Sequence, residues 1–180
     1  MCDGMVTSWV ELNVALRELF PGGIIDRTDV RALSKNGPCS ADAAAWLTGA
    51  RVNHDTLALD NSVGDGFIVQ RISTGEAVRV SLRAAVYPAG LAQLERSIRS
   101  RRARGQAVPA IDIDHFEGGA DAYSRTLLST PPEQSVMLEK LADFTFPDHS
   151  PNLIAPRSDT IDRDAPRQSN PGRLRVKGTL

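Results

Sequence analysis

The spacing of apolar residues changes twice along this chain, and that pattern restricts the fold more than any other property of the sequence. Residues 8–20 read as a helix because Trp9, Leu12, Leu16, Leu19 and Phe20 recur at helical spacing, with Ser8 and Glu11 as a capping box and Pro21-Gly22-Gly23 as the stop. Residues 28–35 and 40–48 read as two shorter helices, the first burying Val30 and Leu33, the second capped by Ser40, burying Trp46 and Leu47, and ended by Gly49. The period then falls to two. Residues 56–60, 67–72 and 77–86 predict three strands of an antiparallel meander, the third with Val78, Val80 and Leu82 on one face and Arg79, Ser81 and Arg83 on the other. Helical spacing returns over 88–104, where Leu91, Leu94 and Ile98 form the inward stripe. Residues 110–114 alternate and predict a short edge strand, 121–128 are weakly helical, and Thr130-Pro131-Pro132-Glu133 opens a helix through Val136, Met137, Leu138, Leu141 and Phe144. The expectation is an α+β fold: an N-terminal helical cluster, a small antiparallel sheet of three to four strands, and covering helices.

After Phe146 the periodicity ends. Residues 147–180 carry Pro147, Pro151, Pro156, Pro166 and Pro171 among Ser, Asn, Asp and Arg, a composition that cannot bury enough apolar surface to offset ordering. They are expected to form a flexible tail behind a single globular domain over 1–146. With 180 residues, 41% apolar, the chain has material for one core of roughly 100 to 150 residues. Its start, MCDGMVTSWVEL, lacks a basic and an apolar export region, and no apolar run is long enough to cross a bilayer. A cytoplasmic protein with no membrane partner is the expectation. Two cysteines, Cys2 and Cys39, give almost no support to a disulfide framework or a thiolate metal site.

Charge is distributed unevenly. Between 71 and 105 eight arginines face two glutamates, a local +6, whereas 111–150 holds eight acidic residues against Arg125 and Lys140, a local −6, inside a chain of net charge −1. Closely spaced guanidinium groups suit phosphate oxygens, so Arg79, Arg83, Arg96, Arg99, Arg101, Arg102 and Arg104 are the candidate nucleic-acid-binding residues. A solvated helix end, with Glu95 paired to Arg99 and cations favoured by the macrodipole, is the competing explanation.

Residues 28–49 resemble a helix-turn-helix unit, with Gly37 in the turn and the meander as a wing. The second helix, SADAAAWLTG, offers Asp42 and alanines where base-reading side chains belong, which favours a plain helical hairpin. Asp112, Asp114, His115 and Glu117 are candidate metal ligands, because two carboxylates on one strand face before a Gly-rich turn suit a divalent cation. The string DIDHF within this segment is similar to the first strand of diguanylate cyclase domains, where metal and nucleotide bind. The likeness covers five residues and the downstream signature loop is missing, so their activity is not implied. An acidic edge strand that prevents edge-to-edge pairing would look the same.

The sequence therefore points to a nonenzymatic nucleic-acid-associated binding or assembly protein, of nucleoprotein, virion or accessory-element type, without a cofactor. It would use the arginine face on nucleic acid or another polyanion and its complementary charges for self-association. The alternatives are a metal-dependent phosphoryl-transfer or hydrolytic enzyme centred on 112–121, and a protein-binding adaptor or effector. No nucleophile triad, P-loop or dinucleotide fingerprint is present.

Overall fold

A computed structural model describes residues 2–147; apart from Pro147, the expected tail lies outside them. The elements in chain order are α1 (Asp3–Leu19), β1 (Val30–Ser34), α2 (Pro38–Thr48), β2 (Leu57–Leu59), β3 (Phe67–Arg71), β4 (Ala77–Leu82), α3 (Ala89–Ala103), α4 (Ala110–Ser129), α5 (Pro132–Ser135) and β5 (Val136–Leu141), with single 3-10 turns at Val52–His54 and Asn61–Val63. The fold is α+β, with a sheet of five strands rather than three or four. Its order is β2-β1-β3-β4-β5, and every pair is antiparallel except β1 with β2.

One sheet face holds most of the core. Val30, Ala32, Phe67, Val69, Val78 and Val80 pack against α1, which contributes Leu12, Ala15, Leu16 and Leu19, and α2 and α4 flank α1. Complete burial of a side chain such as Leu12 or Phe67 contributes about 1.5–3 kcal/mol. At the sheet edge Lys140 Nζ meets Glu18 Oε1 at 2.6 Å, fastening β5 to α1. The opposite face carries a smaller cluster of Leu33, Ala58, Val63 and Phe146, with Ile68 and Phe144 against it. Helix α3 packs on α4. Gly119 allows that approach, because a Cβ there would lie 2.9 Å from Leu91 Cδ1.

Several expectations give way to pairing. Residues 28–35 contain a strand, not a helix: β1 lies between β2 and β3 and is paired on both sides, which outweighs the weak helical preference of so short a segment. Residues 28–49 are therefore neither a helix-turn-helix nor a helical hairpin, and β1, α2 and β2 form a crossover between parallel strands. The alternation at 110–114 belongs to the first turn of α4, and Ile111 is exposed. The helix expected after Thr130 is a single turn, α5, because β5 pairs with β4 from Val136 to Leu141. Trp46, expected in the core, is 73% exposed, and Leu94 is only half-buried. Ser8 and Glu11 lie inside α1, so they cap nothing.

Candidate functional site

The first turns of α1 and α2 meet. Cys2 is the N-cap of α1, and Gly37-Pro38 starts α2 so that Cys39 falls in its first turn. The two Sγ atoms are 3.4 Å apart and share a hydrogen bond in which either thiol can donate; both cysteines are free. Gly4 makes this contact possible. A Cβ at that position would sit 3.2 Å from both Cβ and Sγ of Cys39, tighter than such atoms normally approach.

The pair lies beside a cleft of about 710 Å³ whose walls include Glu11, Lys35, Cys39, Arg83, Tyr87 and Arg99. Helix α1 supplies one wall through Asp3, Thr7 and Glu11, spaced four residues apart and so on a single helical face. Two tyrosines brace that face: Tyr87 Oη donates to Asp3 Oδ2 at 2.7 Å, and Tyr123 Oη shares a 2.8 Å hydrogen bond with Thr7 Oγ1. Their rings meet edge to face at 4.8 Å. Burial, reinforced by the Asp3 carboxylate, pushes the Tyr87 hydroxyl well above its ordinary range, so it stays a donor.

Glu11 is the unusual acid of this wall. It is 3% exposed, and burial pushes its carboxyl up to about 7 even though Oε1 accepts the Leu82 N–H at 2.8 Å and Lys35 favours the charged form. A carboxyl poised near neutrality can hold or release a proton inside the cleft. The Cys39 thiol is also pushed up, first by burial and then by its hydrogen bond with Cys2. Cys39 is thus held as a thiol rather than as a preformed thiolate nucleophile. Two other wall cations are paired with carboxylates: Lys35 Nζ meets Asp65 Oδ1 at 2.6 Å and Arg99 meets Glu95 one helical turn away, both toward the exposed rim.

The arginines proposed as one face do not form one. Arg79 lies on the sheet face opposite α1 and donates to the Val63 carbonyl at 2.7 Å, far from a helix that packs on the α1 side. Arg83 Nε reaches the Glu133 carbonyl at 3.3 Å beside the cleft, and Arg104 is engaged by Ser100 and Gln106. Arg96 and Arg102 are exposed on α3, and Arg101 is half-buried. Of the acidic candidates, Asp114 and Glu117 line a second cleft together with Cys2 and Asp3, whereas Asp112 and His115 lie outside it. Helical geometry replaces the strand on which Asp112 and Asp114 would have shared a face. Among the described residues no group of three or more His, Cys, Asp or Glu side chains is placed to hold a metal ion.

Sequence reasoning missed Cys2, Cys39, Glu11 and Tyr87. The available signal was local: each cysteine sits within two residues of a glycine, in Cys2-Asp3-Gly4 and Gly37-Pro38-Cys39. Nothing in the spacing reveals that the two helix starts converge.

A family model described as "FmdE, Molybdenum formylmethanofuran dehydrogenase operon" matches residues 1–136, which include every element up to the start of β5. No curated protein matches the chain. The match overturns the nucleic-acid-associated, self-assembling reading of the charge pattern, and it favours neither the phosphoryl-transfer nor the adaptor alternative. No helix among the described residues is long and apolar enough to cross a membrane.

Proposed function

This chain belongs to the FmdE family, and from that membership we propose that it is an accessory protein to a molybdenum-dependent dehydrogenase system, acting through the cleft beside Cys2 and Cys39. The observation that carries the reading is the thiol pair: two cysteines 37 residues apart, brought to 3.4 Å at the edge of a walled cleft within the matched span. The chain's own donor set does not suit a resident molybdenum centre, because no three ligating side chains converge among the described residues. The metal in the family description therefore belongs to the dehydrogenase. What the cleft offers is binding and proton handling: Tyr87 and Thr7 hold polar groups on one wall, and Glu11 takes or gives a proton near neutral pH. Free thiols at contact distance also fit a reducing compartment, which supports a cytoplasmic setting.

The test is genetic complementation. In a host whose molybdenum-dependent dehydrogenase can be assayed and whose own copy of this protein is deleted, the parent chain should restore activity, while Cys2→Ser/Cys39→Ser should not. Equal restoration by both would remove the cleft from the function.

A further inference from the structure

We propose that the cleft along α1 binds a small organic monocarboxylate, held at its charged end by Arg83 and along its length by the hydroxyls of Ser8 and Ser40. The inference rests on the reading of the cleft as the working part of the protein, and gives that cleft a ligand class.

Charge decides the class. Of the cations on the cleft wall, Lys35 is matched by Asp65 and Arg99 by Glu95, whereas Arg83 has no carboxylate partner among the described residues. Its position is nevertheless fixed. The Arg83 backbone N–H donates to the Ser135 carbonyl at 2.8 Å and Nε donates to the Glu133 carbonyl at 3.3 Å, so the side chain is anchored while both Nη groups keep their protons for another acceptor. Paired guanidinium N–H donors take the two oxygens of a carboxylate as a fork. One negative charge is thereby balanced. A phosphate dianion would carry a second charge into a cleft that also holds Asp3 and Glu11, with no unpaired cation among the described wall residues left to meet it.

The deeper wall supplies polar contacts that the chain itself leaves unused. Ser8 is 3% exposed and Ser40 is 9% exposed, both line the cleft, and neither hydroxyl has a hydrogen-bond partner among the described residues. A buried hydroxyl without a partner is unfavourable, and a carbonyl or hydroxyl oxygen on a bound molecule would satisfy it. Helix α2 starts beside Ser40 without a side-chain cap, so its first N–H groups add positive potential there. Pro38, Leu82, Ala84 and Ala92 offer apolar surface to a carbon skeleton, and the volume of about 710 Å³ falls within the roughly 300–1,000 Å³ of small-molecule sites. The loop that carries Arg83 also holds Ala85 at φ +66°, a left-handed conformation that residues with a Cβ adopt at a cost and that gathers at ligand-binding positions.

The experiment titrates the full chain with lactate, pyruvate and 4-hydroxybenzoate, each compared with its own primary amide and with inorganic phosphate, and follows binding by saturation-transfer NMR. At least one carboxylate should saturate and bind roughly tenfold or more tightly than its amide and than phosphate, since hydrogen bonds to a charged group carry that much. Arg83→Gln should weaken that carboxylate by roughly tenfold or more without changing the amide, and Arg83→Lys, which keeps the charge but not the fork, should fall between. Ser8→Ala should weaken it by roughly two- to tenfold, with circular dichroism as the folding control and Ser40→Ala as the replacement if Ser8→Ala misfolds. No carboxylate preferred over its amide, a preference for phosphate, or an Arg83→Gln variant that binds as the parent does overturns the proposal. Failure to bind by a parent chain that restores dehydrogenase activity removes the ligand class alone; binding by a parent chain that does not restore it removes the accessory role alone.

Discussion

The two ends of α1 are built on opposite plans. At its C-terminal end Phe20 lies beneath the Arg71 guanidinium at 4.7 Å, Arg71 Nε donates to Asp29 Oδ2 at 2.9 Å, and Ser73 donates to Asp29 from both its backbone N–H and its hydroxyl. Burial raises the Asp29 carboxyl, but these bonds and the Arg71 charge outweigh it and hold the group below its ordinary value. At the N-terminal end two uncombined thiols, one from each helix start, meet beside an open cleft whose wall runs along α1 to a buried carboxyl at mid-helix, held up at about 7. One end spends its polar groups on the fold; the other holds them in readiness. Cleft-bearing regions are often the less stable part of a domain for this reason.

The strongest challenge to this contrast is Gly66→Ala in the cleft wall. Gly66 has φ +102°, and a Cβ there would fall 2.0 Å from the Val80 carbonyl oxygen, so backbone must move. A loss of about 3–5 kcal/mol in urea unfolding is expected, which would show that the cleft is loose in its side chains but not in its frame.

Glu11→Gln should sharpen the contrast. Because the folded carboxyl is raised from 4.5 to about 7, the folded state keeps a proton that the unfolded chain has lost. Its contribution is complete below pH 4.5 and disappears as pH rises through about 7. Glutamine retains an acceptor for the Leu82 N–H and carries no charge. The variant should match the parent near pH 4 and exceed it by up to about 3 kcal/mol at pH 8. Parallel unfolding midpoints at both ends of the range would negate the proposed cause.

Asp29→Ala should act with the opposite sign. A carboxyl held below its ordinary value stabilises the fold above that range and ceases to do so as pH falls through its folded value. A cost of about 1–3 kcal/mol at pH 7, shrinking toward acid, is expected from thermal unfolding across pH. The smallest effect belongs to Trp46→Ala. With 73% of the residue in solvent, a change within about 0.5 kcal/mol is expected by the same measurement, and a larger loss would mean that the indole packs more closely than its exposure indicates.

What the sequence reveals depends on whether a segment's partner is near in the chain. The apolar stripe of Leu12, Leu16 and Leu19 and the alternation of Val78 and Val80 are read correctly because local period alone selects the buried face. Residues 30–34 and 136–141 fail for the opposite reason: each is extended because of a strand it meets elsewhere. Ser8 and Glu11 match a capping box in spacing, yet Glu11 turns to Leu82, 71 residues away. The candidate site lies beyond local reading altogether, since it exists only where two helix starts converge.

Among the described residues the sheet has an edge strand at each border with no further strand beside it. One is β2, only three residues long; the other is β5, whose Glu139 and Lys140 are exposed. A brief edge and a charged one offer little to an incoming strand, so this sheet resists growing by addition of a neighbour's chain. The protection that the sequence appeared to assign to Asp112 and Asp114, which lie in a helix, falls instead to brevity at one border and to the adjacent opposite charges of Glu139 and Lys140 at the other.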